Sequence, residues 1–189
     1  MFECTAQTDT GFYFQVHFLY GSKPLRKYKD TEPKYFGGLH GGHVTIQIDS
    51  SDYGFEPTND VHVFAHRKKY KSDFIKKIVH GNRRYDTGRK TVTFIIPVTK
   101  EESIRLKQIL ESYDKSTPYD YAFFGMRCAT TTKDVLAQMG YFKKRKNCSM
   151  ITTDFYPKKL RRRMFRLAKK NGWKVFEQEG SKTRKWEKD

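Results

Sequence analysis

One cysteine and a set of strand histidines are the residues of this chain whose types and order could do nucleophilic chemistry. Cys128 closes the aromatic, turn-rich run Tyr119-Asp-Tyr-Ala-Phe-Phe-Gly-Met-Arg and leads into Ala-Thr-Thr-Thr-Lys-Asp-Val-Leu-Ala-Gln-Met-Gly140. The spacing of Val135, Leu136 and Met139 predicts a helix beginning at the cysteine and stopped by Gly140. A thiol in that first turn faces backbone N–H groups without helical partners and the positive end of the helix dipole, and both favour thiolate. Upstream, His43 opens the stretch His-Val-Thr-Ile-Gln-Ile48, in which Val44, Ile46 and Ile48 share one face of a strand and His43, Thr45 and Gln47 the other. In this reading Cys128 attacks a carbonyl carbon, and His43 takes the thiol proton and returns it to the leaving group. His66 or His62, on the alternating run Val61–His66, is expected to hold the His43 imidazole in its useful tautomer. The Cys128 backbone N–H supplies one oxyanion donor, with Tyr121 or Tyr119 as a phenol beside it.

The elements that must position these groups follow in order. Residues 11–20 are rich in strand formers. Paired glycines, Gly37-Gly38 and Gly41-Gly42, precede the His43 strand and let another backbone or a ligand approach its beginning. His40 lies among these glycines, so His43 is the better base. Residues 49–60, with Gly54 and Pro57, read as a connection, and Val61–His66 as the return arm of a hairpin centred near Phe55. That register puts His66 opposite His43 and His62 near Gln47. Ser72 to His80 has a helical apolar face of Phe74, Ile75, Ile78 and Val79. Residues 90–96 read as a buried strand, and Thr99-Lys-Glu-Glu102 is a capping box opening a helix to Ser112 or beyond. After a short strand near Cys148–Thr153, Tyr156-Pro157 opens a basic helix with Leu160, Met164, Leu167 and Ala168 inside, ending at Asn171-Gly172. Trp173–Phe176 and Thr183–Trp186 pair as a terminal hairpin.

Composition narrows the function classes. The chain has 189 residues, 38 Lys/Arg against 21 Asp/Glu and a net charge of +17. Its 15 Phe and 12 Tyr supply a core, so charge and not disorder makes the hydropathy low. From Tyr141 onward there are 17 basic and 5 acidic residues, most of the excess. Three cysteines (Cys4, Cys128 and Cys148) without CxxC spacing exclude a disulfide framework and a cysteine zinc site. His62 and His66 are four apart, which suits a metal only on a helix. Their alternating context and the lack of a clustered third ligand give no metal and no cofactor. No signal peptide or apolar run of membrane-spanning length is visible, so the expected place is cytoplasmic.

The order His strand, His strand, Tyr-rich turn and Cys helix carries a family resemblance. Gly42-His43-Val-x-Ile, then Tyr119-x-Tyr-x-Phe-x-x-x-x-Cys128 followed by a polar helix, resembles the circularly permuted papain-like cysteine hydrolases. These are the NlpC-like group that includes the lecithin:retinol acyltransferase-like enzymes. Tyr156-Pro157-x-x-Leu160 is similar to the Thr-Pro-x-x-Leu start of a later helix in that group, and the likeness covers about residues 11–170. The group usually has Asn before the cysteine, where this chain has Arg127. The resemblance implies a papain-like fold and thiol chemistry on an amide or ester, by hydrolysis or acyl transfer. A peptide, a peptidoglycan fragment or a lipid is the implied kind of substrate.

The expected fold is therefore α+β in one domain: a small antiparallel sheet with helices on it over residues 11–140, and a basic lobe over 141–189. A second function class competes with catalysis. Lys158, Lys159, Arg161, Arg162, Arg163 and Arg166 lie along one helix, and with Trp173, Phe176 and Trp186 nearby they are candidates to bind nucleic acid or another polyanion.

Overall fold

The computed structural model describes residues 11–32, 41–57, 62–65, 73–78, 88–144 and 156–189. The readings made for Cys4, His40, His66, His80, Gly37-Gly38, Cys148 and the strand near 148–153 lie outside them. The centre of the fold is a six-stranded antiparallel sheet in the order β6-β4-β3-β1-β7-β9. Its strands are β1 (Phe12–Tyr20), β3 (Gly42–Ile48), β4 (Ser51–Glu56), β6 (Asp73–Ile78), β7 (Thr91–Val98) and β9 (Lys174–Gln178). Alternation builds the core side: Phe14, Val16 and Phe18 stand beside Ile48, Ile46 and Val44 on one neighbour and Ile96, Phe94 and Val92 on the other. All nine are buried. Three helices close over this face, α1 (Lys100–Lys115), α2 (Cys128–Gln138) and α3 (Pro157–Asn171), contributing Leu106, Leu110, Val135, Leu136, Leu160 and Met164. Among the described residues no helix is long and apolar enough to cross a membrane.

Helix ends follow their local chemistry. At α1 the Thr99 hydroxyl accepts from the Glu102 N–H while the Glu102 carboxylate accepts from the Thr99 N–H. Pro157 sits at the start of α3, and Gly172 ends it in the left-handed conformation. Tyr113 from α1 and Tyr119 from the following turn both donate to the Asp134 carboxylate of α2, at 2.8 and 2.7 Å. That shared acceptor fixes the approach of the Tyr119–Arg127 run to α2.

Several expectations are corrected. Residues 73–78 form an edge strand on β4, not a helix. Six residues give a helix little to repay its nucleation, whereas the open edge of β4 offers partners to the backbone groups that face it. The β3 strand turns back through Asp49-Ser50, with Asp49 at φ 50°, so its partner is β4 and residues 51–56 are strand, not connection. Gln47 faces Asp52, not His62. His62 instead begins β5 (His62–Phe64), which pairs in parallel with β8 (Ala122–Phe124). No terminal hairpin forms: β9 adds to the edge of β7, and β10 (Arg184–Trp186) pairs with β2 (Ser22–Pro24). Residues 156–189 are thus woven into the main sheet and core, and do not stand apart as a basic lobe.

Candidate active site

Two backbone features bring a histidine to the end of the sheet. Gly42 has φ +98°, and a Cβ there would lie 2.4 Å from the Leu19 carbonyl oxygen, so only glycine lets β3 start tight against β1. One residue on, the His43 ring lies over Gly54 of β4, where a Cβ would come 3.0 Å from Nε2. The bare backbone at Gly54 makes room for the imidazole. Continuing the β3–β4 register from Thr45↔Gly54 sets Glu56 across from His43 on the same face. Its carboxylate oxygen is 3.4 Å from His43 Nε2 and 3.0 Å from Lys77 Nζ. At 3.4 Å the His43 contact is long for a hydrogen bond and acts chiefly as an attraction between charges.

The thiol arrives from the other side. Cys128 is the first residue of α2 and only 5% exposed, while the His43 side chain keeps 27% of its surface open. His43 hydrogen-bonds Cys128, and the Val44 backbone N–H donates to the same sulfur. Since Nε2 faces Glu56, the ring nitrogen left for the thiol is Nδ1. Burial works against thiolate, but the His43 hydrogen bond and charge, the Val44 N–H and the Arg127 charge outweigh it and hold the thiol below its ordinary value. Burial likewise opposes imidazolium. The hydrogen bond to Cys128 and the pull of Glu56 overcome it and push His43 up to about 9. Glu56 is held at about 2, first by His43, against burial, and then by Lys77. Around neutral pH His43 is imidazolium and Glu56 carboxylate, and the imidazolium beside the sulfur favours the thiolate form of Cys128.

The residues singled out in the sequence separate here. Cys128 and His43 meet. The group beside the outer nitrogen of His43 is Glu56, which the sequence places in a connection; His62 pairs with Ala122 on β8, and His66 lies outside the described residues. The signal was present: Asp49-Ser50 is a turn dipeptide, and the following Ser-Asp-Tyr-Gly-Phe-Glu56 alternates. Tyr119 is corrected as an oxyanion donor, because its hydroxyl is committed to Asp134. Tyr121 is the phenol at the site. It is buried, its ring lies 5.2 Å from Phe55, and burial, then the Cys128 thiolate, push its ionisation far upward. It is therefore a proton donor at any ordinary pH.

Arg127 occupies the cap position of α2. Its backbone N–H donates to the Thr130 hydroxyl at 2.6 Å, half of a capping box, since a guanidinium has no acceptor to complete the other half. Of the proposed polyanion ligands, Lys159, Arg162 and Arg166 are exposed and Lys158 and Arg163 half-buried. Arg161 is corrected. It is fully buried, paired with Glu187 at 2.9 Å and Asp189 at 2.6 Å, with its guanidinium 3.6 Å from the Tyr20 ring centroid. Among the described residues no cluster of three His, Cys, Asp or Glu side chains could hold a metal ion. Comparison with models of protein families, with curated proteins and with solved structures finds no match to this chain.

Proposed function

We propose that this protein is a thiol-dependent hydrolase or acyltransferase of permuted papain-like architecture, acting on an amide or ester through Cys128, His43 and Glu56. The observation that carries the reading is the hydrogen bond between His43 and a thiol at a helix start, with a carboxylate on the far side of the ring. Either group alone is ordinary; together they make a poised nucleophile and its acid.

The chemistry follows from the charge order. The Cys128 thiolate attacks the carbonyl carbon, forming a C–S bond as the carbonyl π electrons move onto oxygen. The Cys128 backbone N–H, which has no partner within the helix, and the Tyr121 hydroxyl are the donors for that oxyanion. Collapse of the intermediate breaks the bond to the amine or alcohol, which leaves with the proton from His43 Nδ1. A water or an acceptor hydroxyl or amine then attacks the thioester while His43 takes its proton, and the thiolate departs. Glu56 keeps the ring oriented and its charged form favoured through both halves.

The test is trapping of the acyl-enzyme. With p-nitrophenyl acetate, a burst of p-nitrophenol should accompany a 42-dalton gain on the peptide containing Cys128, and Cys128→Ala should show neither. Acetylation elsewhere on the chain, with Cys128 unmodified, would overturn the reading. A second reading rests on the exposed stripe of Lys159, Arg162 and Arg166 along α3. These three are spaced to face one way and fit a polyanion such as nucleic acid. Arg161 takes no part in it.

A further inference from the structure

Immediately before the thiol, a cation is built into the wall of the site. Arg127 is half-buried, and its guanidinium carbon lies 5.4 Å from the centroid of the Phe123 ring and 5.6 Å from that of Tyr156. Phe123 is 44% and Tyr156 39% exposed, so the two rings hold the cation at the rim of the site and not in the core. Burial draws the Arg127 pKa down against the opposing pull of Tyr121, Cys128 and Tyr156, yet a guanidinium stays charged at any pH the fold meets. The contrast with Arg161 is one of placement. Arg161 is sealed among carboxylates in the interior, whereas Arg127 is half-exposed beside Cys128, close enough for its charge to act on the thiol.

We propose that Arg127, steadied by Phe123 and Tyr156, forms a subsite for a carboxylate on the substrate, so that the preferred acyl donors carry an acidic group close to the reacting carbonyl. A planar guanidinium matches a carboxylate with two parallel N–H donors, and partial removal from water strengthens each. Two aromatic rings also limit its rotamers, so little side-chain freedom is lost when a carboxylate docks. The same charge disfavours cationic acyl groups. The proposal rests on Cys128 being the nucleophile.

Alkylation by two reagents of nearly equal size separates the two claims. Iodoacetate carries a carboxylate beside the carbon attacked, and iodoacetamide is its neutral counterpart. The ratio of their rates at Cys128 cancels any change in thiolate fraction. In the unsubstituted chain the ratio should favour iodoacetate well beyond its value for a free thiol, and Arg127→Met should lower it about tenfold. Arg127→Lys, which keeps the charge but not the paired donors, should retain part of the preference and serves should the methionine variant fold poorly. Lys100→Met, at the opposite end of the sheet from His43, should leave the ratio unchanged. Glutarate should slow iodoacetamide labelling of the unsubstituted chain saturably, and glutaramide should not. Rapid labelling with no iodoacetate preference overturns the subsite alone, as does an equal fall in Arg127→Met and Lys100→Met, which would mark a general field. Labelling no faster than a free thiol with either reagent overturns the nucleophile and the subsite together.

Discussion

Two histidines on the same side of one sheet have opposite fates. His17, in the middle of β1, is 1% exposed; its Nδ1 pairs with the Thr93 hydroxyl at 2.8 Å and its Nε2 with the Gln47 amide oxygen at 2.9 Å. Both partners are neutral, and both come from adjacent strands. His43 stands on the neighbouring strand, at its first turn away from the glycines, between a carboxylate and a thiol. The first arrangement satisfies an imidazole and locks three strands together. The second loads it with charge and leaves 27% of the side chain open. The charge an imidazole carries in this fold therefore depends on what flanks the ring and on its place at the strand end, and not on the residue type.

Substitutions around His43 should break chemistry, and those around His17 should break only stability. The largest effect is expected for His43→Ala, which should lower acyl transfer by about 10²- to 10⁴-fold, measured as ester turnover. Next is Glu56→Gln. Glu56 is ionised at all pH values above about 2, so it supports imidazolium throughout the working range, and its loss should lower turnover about tenfold. The pH profile gives the sign. His43 is raised to about 9, so the acid form is present below that pH and lost above it, and turnover should fall as pH rises through about 9. In Glu56→Gln this alkaline limb should move to lower pH. An unmoved limb would remove Glu56 from the site.

His17→Ala should leave Cys128 labelling unchanged while costing about 1–3 kcal/mol in a denaturant titration, because Thr93 and Gln47 lose buried partners. A changed labelling rate would mean that the two histidines are coupled. The smallest effect belongs to α3: replacing Lys159, Arg162 and Arg166 by alanine should flatten the salt dependence of any polyanion binding without altering turnover, read by fluorescence titration at several salt concentrations.

Cys128 and His43 were legible because each is marked by local pattern: a thiol before a helical apolar face, and an imidazole opening an alternating strand. The capping box of α1 and the proline and glycine ends of α3 were legible for the same reason. Glu56 was not, because Gly54 and Pro57 disguise β4 as a loop. A Cβ at Gly54 would meet both the His43 ring and the methyl of its cross-strand partner Thr45 at 3.0 Å, so the glycine answers to neighbours on β3 that its own segment does not show. The misread of residues 73–78 has a different cause. Phe74, Ile75 and Ile78 satisfy a helical spacing, but the exposed edge of β4 decides their conformation, and an edge is not visible in the segment itself. Arg161 looked like one more basic residue on a charged helix. Its partners, Glu187 and Asp189, are more than twenty residues away, and only the fold of the C-terminal strand brings them to it.

The most direct test of the account is the rate of iodoacetamide labelling at Cys128 as a function of pH, in the unsubstituted chain and in His43→Ala. With His43 present, the thiolate should titrate well below the ordinary thiol range of about 8.5, and in His43→Ala the midpoint should rise toward or above that value. Midpoints near the ordinary value in both proteins, unmoved by loss of the imidazole, would contradict the pairing of Cys128 with His43.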